Sequence, residues 1–133
     1  MTEIHRGGCL CGAVRFAVSG PLRPVVYCHC GQCRRQTGLF YAATSAAVDA
    51  ITIEEDGALR WHAASDTARR GFCAQCGSAL FWQGDGESMR SILAGAMDEG
   101  APLVAERHIF VADKPDWYEL TDGLPQHGRG RTS

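Results

Sequence analysis

The sequence predicts a single all-β domain in which sheet packs on sheet, and three observations carry that prediction. Turn signals recur at short intervals: Gly7-Gly8, Gly20-Pro21, Pro24, Asp56-Gly57, Gly84-Asp85-Gly86, Gly100 with Pro102, and Pro115. Between them lie short stretches with strand character rather than long stripes of helical period. Gly or Pro breaks most windows in which a helix longer than two turns would form.

Taken in chain order, the first strand signal is Ala13–Val18, whose larger apolar residues Val14, Phe16 and Val18 fall on one face. Ile51–Glu54 and Leu59–His62 alternate in the same way. Leu80–Trp82, Ser91–Ala94 and His108–Val111 are continuous apolar runs, suited to strands buried on both faces. The one helix expected is a turn or two starting near Cys30 or Gly31 and stopped by Gly38. At 133 residues the chain fits one domain, expected over residues 1–125, with residues 126–133 as a flexible tail.

Composition narrows the function. A net charge of −2 gives no electrostatic reason to expect nucleic acid or an anionic membrane as partner. No apolar run is long enough to span a bilayer, and Met1–Gly8 lacks the apolar block of an export signal, so a cytoplasmic protein is expected. An exposed edge strand would let two copies pair as a homodimer.

The seven cysteines say most. An odd number without an export signal argues against a disulfide framework. They also cluster, as Cys9-x-Cys11, Cys28-x-Cys30-x-x-Cys33 and Cys73-x-x-Cys76. Metal binding explains that clustering better than redox-active or inert core thiols. On a strand Cys9 and Cys11 would point to the same face, and Cys73-x-x-Cys76 has the spacing of a metal knuckle. Paired, they form a closed four-thiolate zinc site of structural kind. Gly12 and Gly77 directly follow Cys11 and Cys76, where positive φ would let the chain fold back over a metal.

Cys28, Cys30 and Cys33 remain. Three thiolates leave one tetrahedral position for water or substrate, the arrangement of a reactive zinc. The start of the short helix beside them would favour the thiolate form. Three sulfur donors make that zinc a weak acidifier of water but a good host for a thiol, which favours sulfur chemistry over hydrolysis. Two zinc ions among seven thiolates still leave negative charge to balance. Arg34 and Arg35 follow the triplet and are candidates for that role or for binding substrate carboxylates. Phe40 and Tyr41, just past Gly38, are candidate walls of the open site. Alternation points His29 away from the metal, His108 reads as a buried strand histidine, and Trp61, Trp82 and Trp117 read as packing residues.

With the cysteines assigned, the chain resembles the glutathione-dependent formaldehyde-activating enzyme family, the CENP-V/GFA domain. The matching pieces are Gly8–Val14, Tyr27–Arg34 with Gly38, Arg70–Gly77, His108-Ile109, Trp117 and Asp122-Gly123-Leu124-Pro125. The resemblance implies a β-tent fold of packed antiparallel sheets, like methionine sulfoxide reductase B and the small zinc-binding Rab exchange factors. It implies structural zinc on Cys9, Cys11, Cys73 and Cys76, and catalytic zinc on Cys28, Cys30 and Cys33. It also implies a carbon–sulfur lyase activity, with glutathione as the thiol and formaldehyde as the aldehyde, joined as S-(hydroxymethyl)glutathione. The competing readings are a zinc-stabilised protein-binding module without catalysis, and a redox protein that uses the central triplet as free thiols.

Overall fold

The computed structural model describes residues 3–130. Two sheets make the architecture. The smaller has three strands in the order β1-β2-β5, from β1 (Ile4–Gly8), β2 (Arg15–Ser19) and β5 (Ile51–Glu55). The larger has seven. Its members are β3 (Val25–Cys28), β4 (Tyr41–Ala47), β6 (Leu59–Ala63), β7 (Ala68–Cys73), β8 (Ala79–Gly84), β9 (Met89–Leu93) and β10 (Ala105–Ile109), in the order β10-β3-β4-β9-β8-β7-β6. The all-β class with one short helix is as the sequence predicts, and α1 (Gly31–Thr37) ends at Gly38, whose φ of 99° suits glycine.

The core forms where the sheets face each other. Val14, Phe16 and Val18 from the small sheet meet Leu80, Phe81 and Ile92 from the large one, all essentially without solvent exposure. Phe16 and Phe81 pack edge to face with ring centroids 5.1 Å apart, and Trp61 stacks on Phe81 at 5.9 Å. A bidentate contact from Arg15 to Asp98, 3.1 and 2.7 Å, ties β2 to the segment after β9.

Four details differ from the sequence reading. The large sheet is not wholly antiparallel, because β10 lies parallel to β3 after a long irregular return through residues 97–104. Cys9 and Cys11 sit in the turn after β1, not on a strand, so local turn geometry and not strand alternation brings their sulfurs together. Trp117 is 71% exposed and packs no core. Residues 126–129 are not a free tail: His127 N donates to His108 O, Val111 N to His127 O, Ala112 N to Gly128 O, and Phe110 N to Arg129 O. These bonds cover one edge of β10. Arg131–Ser133, also assigned to that tail, lie outside the described residues.

The register of the large sheet places the site. Arg70, Trp82 and Ser91 are successive cross-strand partners on β7, β8 and β9. Cys28 pairs with Tyr41, Val26 with Ala43, and Ile109 with Cys28. Cross-strand partners share a face, so these residues form a row on the face turned away from the small sheet.

Candidate metal centres and active site

The first cluster is a closed cage. The sulfurs of Cys9, Cys11, Cys73 and Cys76 all lie within 4.8 Å of one another. Two edges are 3.7 Å (Cys9–Cys11) and 3.8 Å (Cys11–Cys73). Tetrahedral zinc with Zn–S bonds of about 2.3 Å needs sulfur–sulfur edges of about 3.8 Å, whereas a disulfide needs about 2.05 Å. The donor set therefore fits zinc and not a disulfide. Backbone geometry supports it: Gly12 and Gly77 adopt φ of 82° and 81°, folding the chain back as the sequence predicts. Val14 N donates to Cys9 Sγ at 3.2 Å and Cys76 N to Cys73 Sγ at 3.4 Å. Leu10 N donates to Ser78 Oγ, which frees the Ser78 hydroxyl hydrogen for Cys76 Sγ, 3.2 Å away. That hydroxyl, then nearby backbone N–H groups, pull the Cys76 thiol down to about 5.

The second cluster is Cys28, Cys30 and Cys33, again with all sulfurs within 4.8 Å of one another. Cys28 closes β3, Cys33 is the buried residue of α1, and Cys30 caps the helix by accepting a hydrogen bond from Cys33 N at 3.3 Å. Packed this closely, the thiols cannot ionise independently. Cys30 is pulled well below the ordinary thiol range by hydrogen bonds from Cys28 and then Cys33, and the same contacts push Cys28 up. Three soft donors on one side and space on the other fit a zinc ion with an open position.

That space is a pocket of about 360 Å³. Cys28, Cys30 and Cys33 line it together with Tyr41, Trp82 and the guanidiniums of Arg23, Arg70 and Arg107. Of the substrate contacts expected from sequence, only Tyr41 lies here. Arg34 and Arg35 stay outside, on the solvent side of α1, and Phe40 turns to the opposite face against His29 and Tyr27. Strand alternation explains the split between Phe40 and Tyr41, which adjacent positions cannot share.

Arg70 takes the role assigned to the helix arginines. It is 4% exposed, and its Nη2 donates to Cys33 Sγ at 3.3 Å while its Nε donates to Gln32 Oε1 at 2.8 Å. Its Cζ lies 5.3 Å from the Tyr41 ring centroid. Burial pushes the Tyr41 hydroxyl well above its ordinary range, so it stays protonated. Sequence reasoning missed Arg70 because its signal, an arginine three residues before a cysteine knuckle, acquires meaning only through strand pairing.

On the other face of β3 two buried histidines run behind the triplet to Asp122 at the surface. His29 Nε2 lies 2.8 Å from His108 Nδ1, and His108 Nε2 lies 2.8 Å from Asp122 Oδ2. Asp122 is fixed in turn by Leu124 N donating to its Oδ1 at 3.0 Å. His29 thus points away from the triplet, as strand alternation predicts. Burial, then the neighbouring His108, lower its pKa.

The fold and site define a mostly β domain with two cysteine clusters that could each hold a metal ion, the second beside a pocket lined by arginines. The family model for glutathione-dependent formaldehyde-activating enzymes matches residues 4–113, and the chain belongs to that family. A protein of Halomonas elongata named "Putative glutathione-dependent formaldehyde-activating enzyme" is 36% identical over 125 residues, covering 86% of this chain and 79% of its own. An uncharacterised lyase of Schizosaccharomyces pombe is 25% identical over 119 residues, covering 89% and 86%. A Rhodobacter sphaeroides crystal structure superposes with a TM-score of 0.58 at 24% identity, over 73% of this chain and 91% of that one, and shares the fold. No helix among the described residues is long and apolar enough to cross a membrane.

Proposed function

We propose that the chain is a zinc-dependent carbon–sulfur lyase that makes and breaks the adduct of glutathione and formaldehyde, S-(hydroxymethyl)glutathione. The observation that carries this reading is the thiol triplet opening onto a pocket with three arginines. The family's printed description and the lyase name of the yeast relative point to the same chemistry.

Cys28, Cys30 and Cys33 would hold the catalytic zinc, which when bound supplies positive charge and a vacant position that favour an ionised thiol. Cys9, Cys11, Cys73 and Cys76 would hold the structural one. The remaining work falls to the pocket. Arg23 and Arg107, the latter also paired with Glu106, line the pocket as candidate partners for a ligand with two carboxylates. Arg70 keeps Cys33 hydrogen bonded and its negative charge balanced. Trp82 gives the pocket an apolar wall that limits water around the reacting carbon.

The test is exchange spectroscopy with ¹³C-formaldehyde and glutathione. Zinc-loaded protein should speed exchange between free formaldehyde and the adduct well beyond buffer, and Cys30→Ala should return it to the buffer rate. Exchange no faster than buffer in the zinc-loaded wild type overturns the proposal.

A further inference from the structure

Buried polar groups in folded proteins are nearly all hydrogen bonded, so the exceptions point to work reserved for a ligand. Among the described residues, five buried side-chain polar atoms have no partner in the protein. Three of them belong to residues lining the pocket beside the triplet: Tyr41 Oη, Arg70 Nη1 and Arg107 Nε. Tyr41 and Arg70 stand out because each is more than nine-tenths buried, at 3% and 4% exposure. They also share a corner, with the guanidinium of Arg70 over the Tyr41 ring and its other nitrogen on Cys33 Sγ.

Both free atoms are donors. A guanidinium carries only N–H groups, and a protonated phenol offers its O–H. Two donors beside a thiol triplet are matched to an oxygen that gains negative charge next to a sulfur. The adduct of a thiol with an aldehyde has that oxygen, two bonds from the sulfur.

We infer that Tyr41 Oη and Arg70 Nη1 form a donor pair that receives the aldehyde-derived oxygen of the substrate. This rests on the reading of the pocket as a thiol–aldehyde site. When the adduct forms, a sulfur electron pair bonds to the carbonyl carbon and the carbonyl π pair moves onto oxygen. The proton given up by the thiol ends on that oxygen. When the adduct breaks, the hydroxyl loses its proton, the C=O bond re-forms, and the C–S pair returns to sulfur. In both directions charge peaks on the oxygen between the two donors, where preorganised hydrogen bonds act most strongly.

A donor reserved for a ligand holds nothing in the free protein, and this separates the inference from a merely structural role. Removing the Tyr41 hydroxyl should therefore leave the fold as stable as before or more so, since the site gives up an unsatisfied polar group.

The experiment compares zinc-loaded wild type, Tyr41→Phe and Arg70→Lys by urea unfolding and by calorimetric binding of two probes. S-methylglutathione lacks the oxygen, and S-formylglutathione carries one in the adduct's position. Tyr41→Phe should keep or raise the unfolding midpoint and bind S-methylglutathione as wild type does. It should weaken S-formylglutathione about three- to tenfold, the scale of one neutral hydrogen bond. Arg70→Lys also gives up contacts to Gln32 and Cys33, so it should weaken both probes, S-formylglutathione several-fold more than S-methylglutathione. Equal loss for both probes, or a lowered midpoint in Tyr41→Phe, overturns the donor pair while leaving glutathione as the ligand. Failure of either probe to bind the wild type removes the glutathione reading and the donor pair together.

Discussion

Asp122 accepts hydrogen bonds and cannot donate them, and this one constraint sets the protons behind the triplet. His108 Nε2 must donate to Asp122, so His108 Nδ1 accepts from His29 Nε2. His29 Nδ1 is left as a bare acceptor, buried with no partner. A proton added there would be an unsatisfied charge in a fully buried ring, which is why burial lowers the His29 pKa. In the unfolded chain a histidine takes up a proton near pH 6.5. Below that value the unfolded state binds a proton the folded state refuses, so stability falls as pH falls. The slope is at most about 1.4 kcal/mol per pH unit for this one group. Asp122, whose pKa is lowered by Leu124 N and then His108, has the same sign, but its contribution is lost only in the carboxylate range. His29→Gln keeps a donor for His108 and cannot titrate. Urea midpoints should therefore drop more steeply for wild type than for His29→Gln between pH 7.5 and 5.5. Any metal lost to acid affects both proteins, so equal slopes would refute the assignment.

The large sheet works as a two-sided element. On β8, Phe81 enters the inter-sheet core and Trp82 the pocket. The same division sends Ile92 and Ser91 of β9 to opposite faces. Strands with large apolar residues in alternation (β2, β5, β6) were legible from sequence because burial on one face writes a period of two. The strands β3, β4 and β7 were not. β4 reads Tyr-Ala-Ala-Thr-Ser-Ala-Ala, too small for a pattern, and β7 carries Arg70 toward the pocket and Arg69 on its other face over Trp61. Function thus erased the strand signal where the site was built. A tight approach of β1 to the turn after β9 is testable at Gly7. A Cβ on Gly7 would lie 2.5 Å from Ala96 O and 2.7 Å from Phe16 Cζ. The carbonyl is backbone and the ring is fixed in the core, so neither moves cheaply. Gly7→Ala should cost about 1–3 kcal/mol in urea unfolding, typical of overpacking. A loss below half a kcal/mol would mean that β1 lies less tightly against Phe16 and the turn after β9 than this.

At the scale of the molecule the two cysteine groups differ in what they join. Their partition was legible because thiols that share an ion must fall in pairs and knuckles along the chain. The arginines and the histidine–aspartate chain were hidden, because strand pairing brings them in from 37 and 79 residues away. Cys9 and Cys11 belong to the turn after β1 of the small sheet, while Cys73 closes β7 and Cys76 lies in the turn to β8 of the large sheet. A metal on these four cross-links the two sheets beside the core. Structural zinc binding, about 10–16 kcal/mol in small peptides, is comparable to the whole stability of a domain, about 5–15 kcal/mol. The triplet spans only β3 and α1, and its remaining side faces the pocket. Chelation should therefore proceed in two stages. One equivalent of zinc should leave first, with far-ultraviolet circular dichroism unchanged, since no sheet contact depends on it. The second should leave only as the β signal is lost, because releasing it frees the sheets from each other. A metal-sensitive dye read alongside circular dichroism separates the stages. Cys33→Ser should abolish the early release and leave the late one in place. Simultaneous loss of both equivalents, or full β signal after both are gone, would mean that the four-thiol cage does not hold the sheets together.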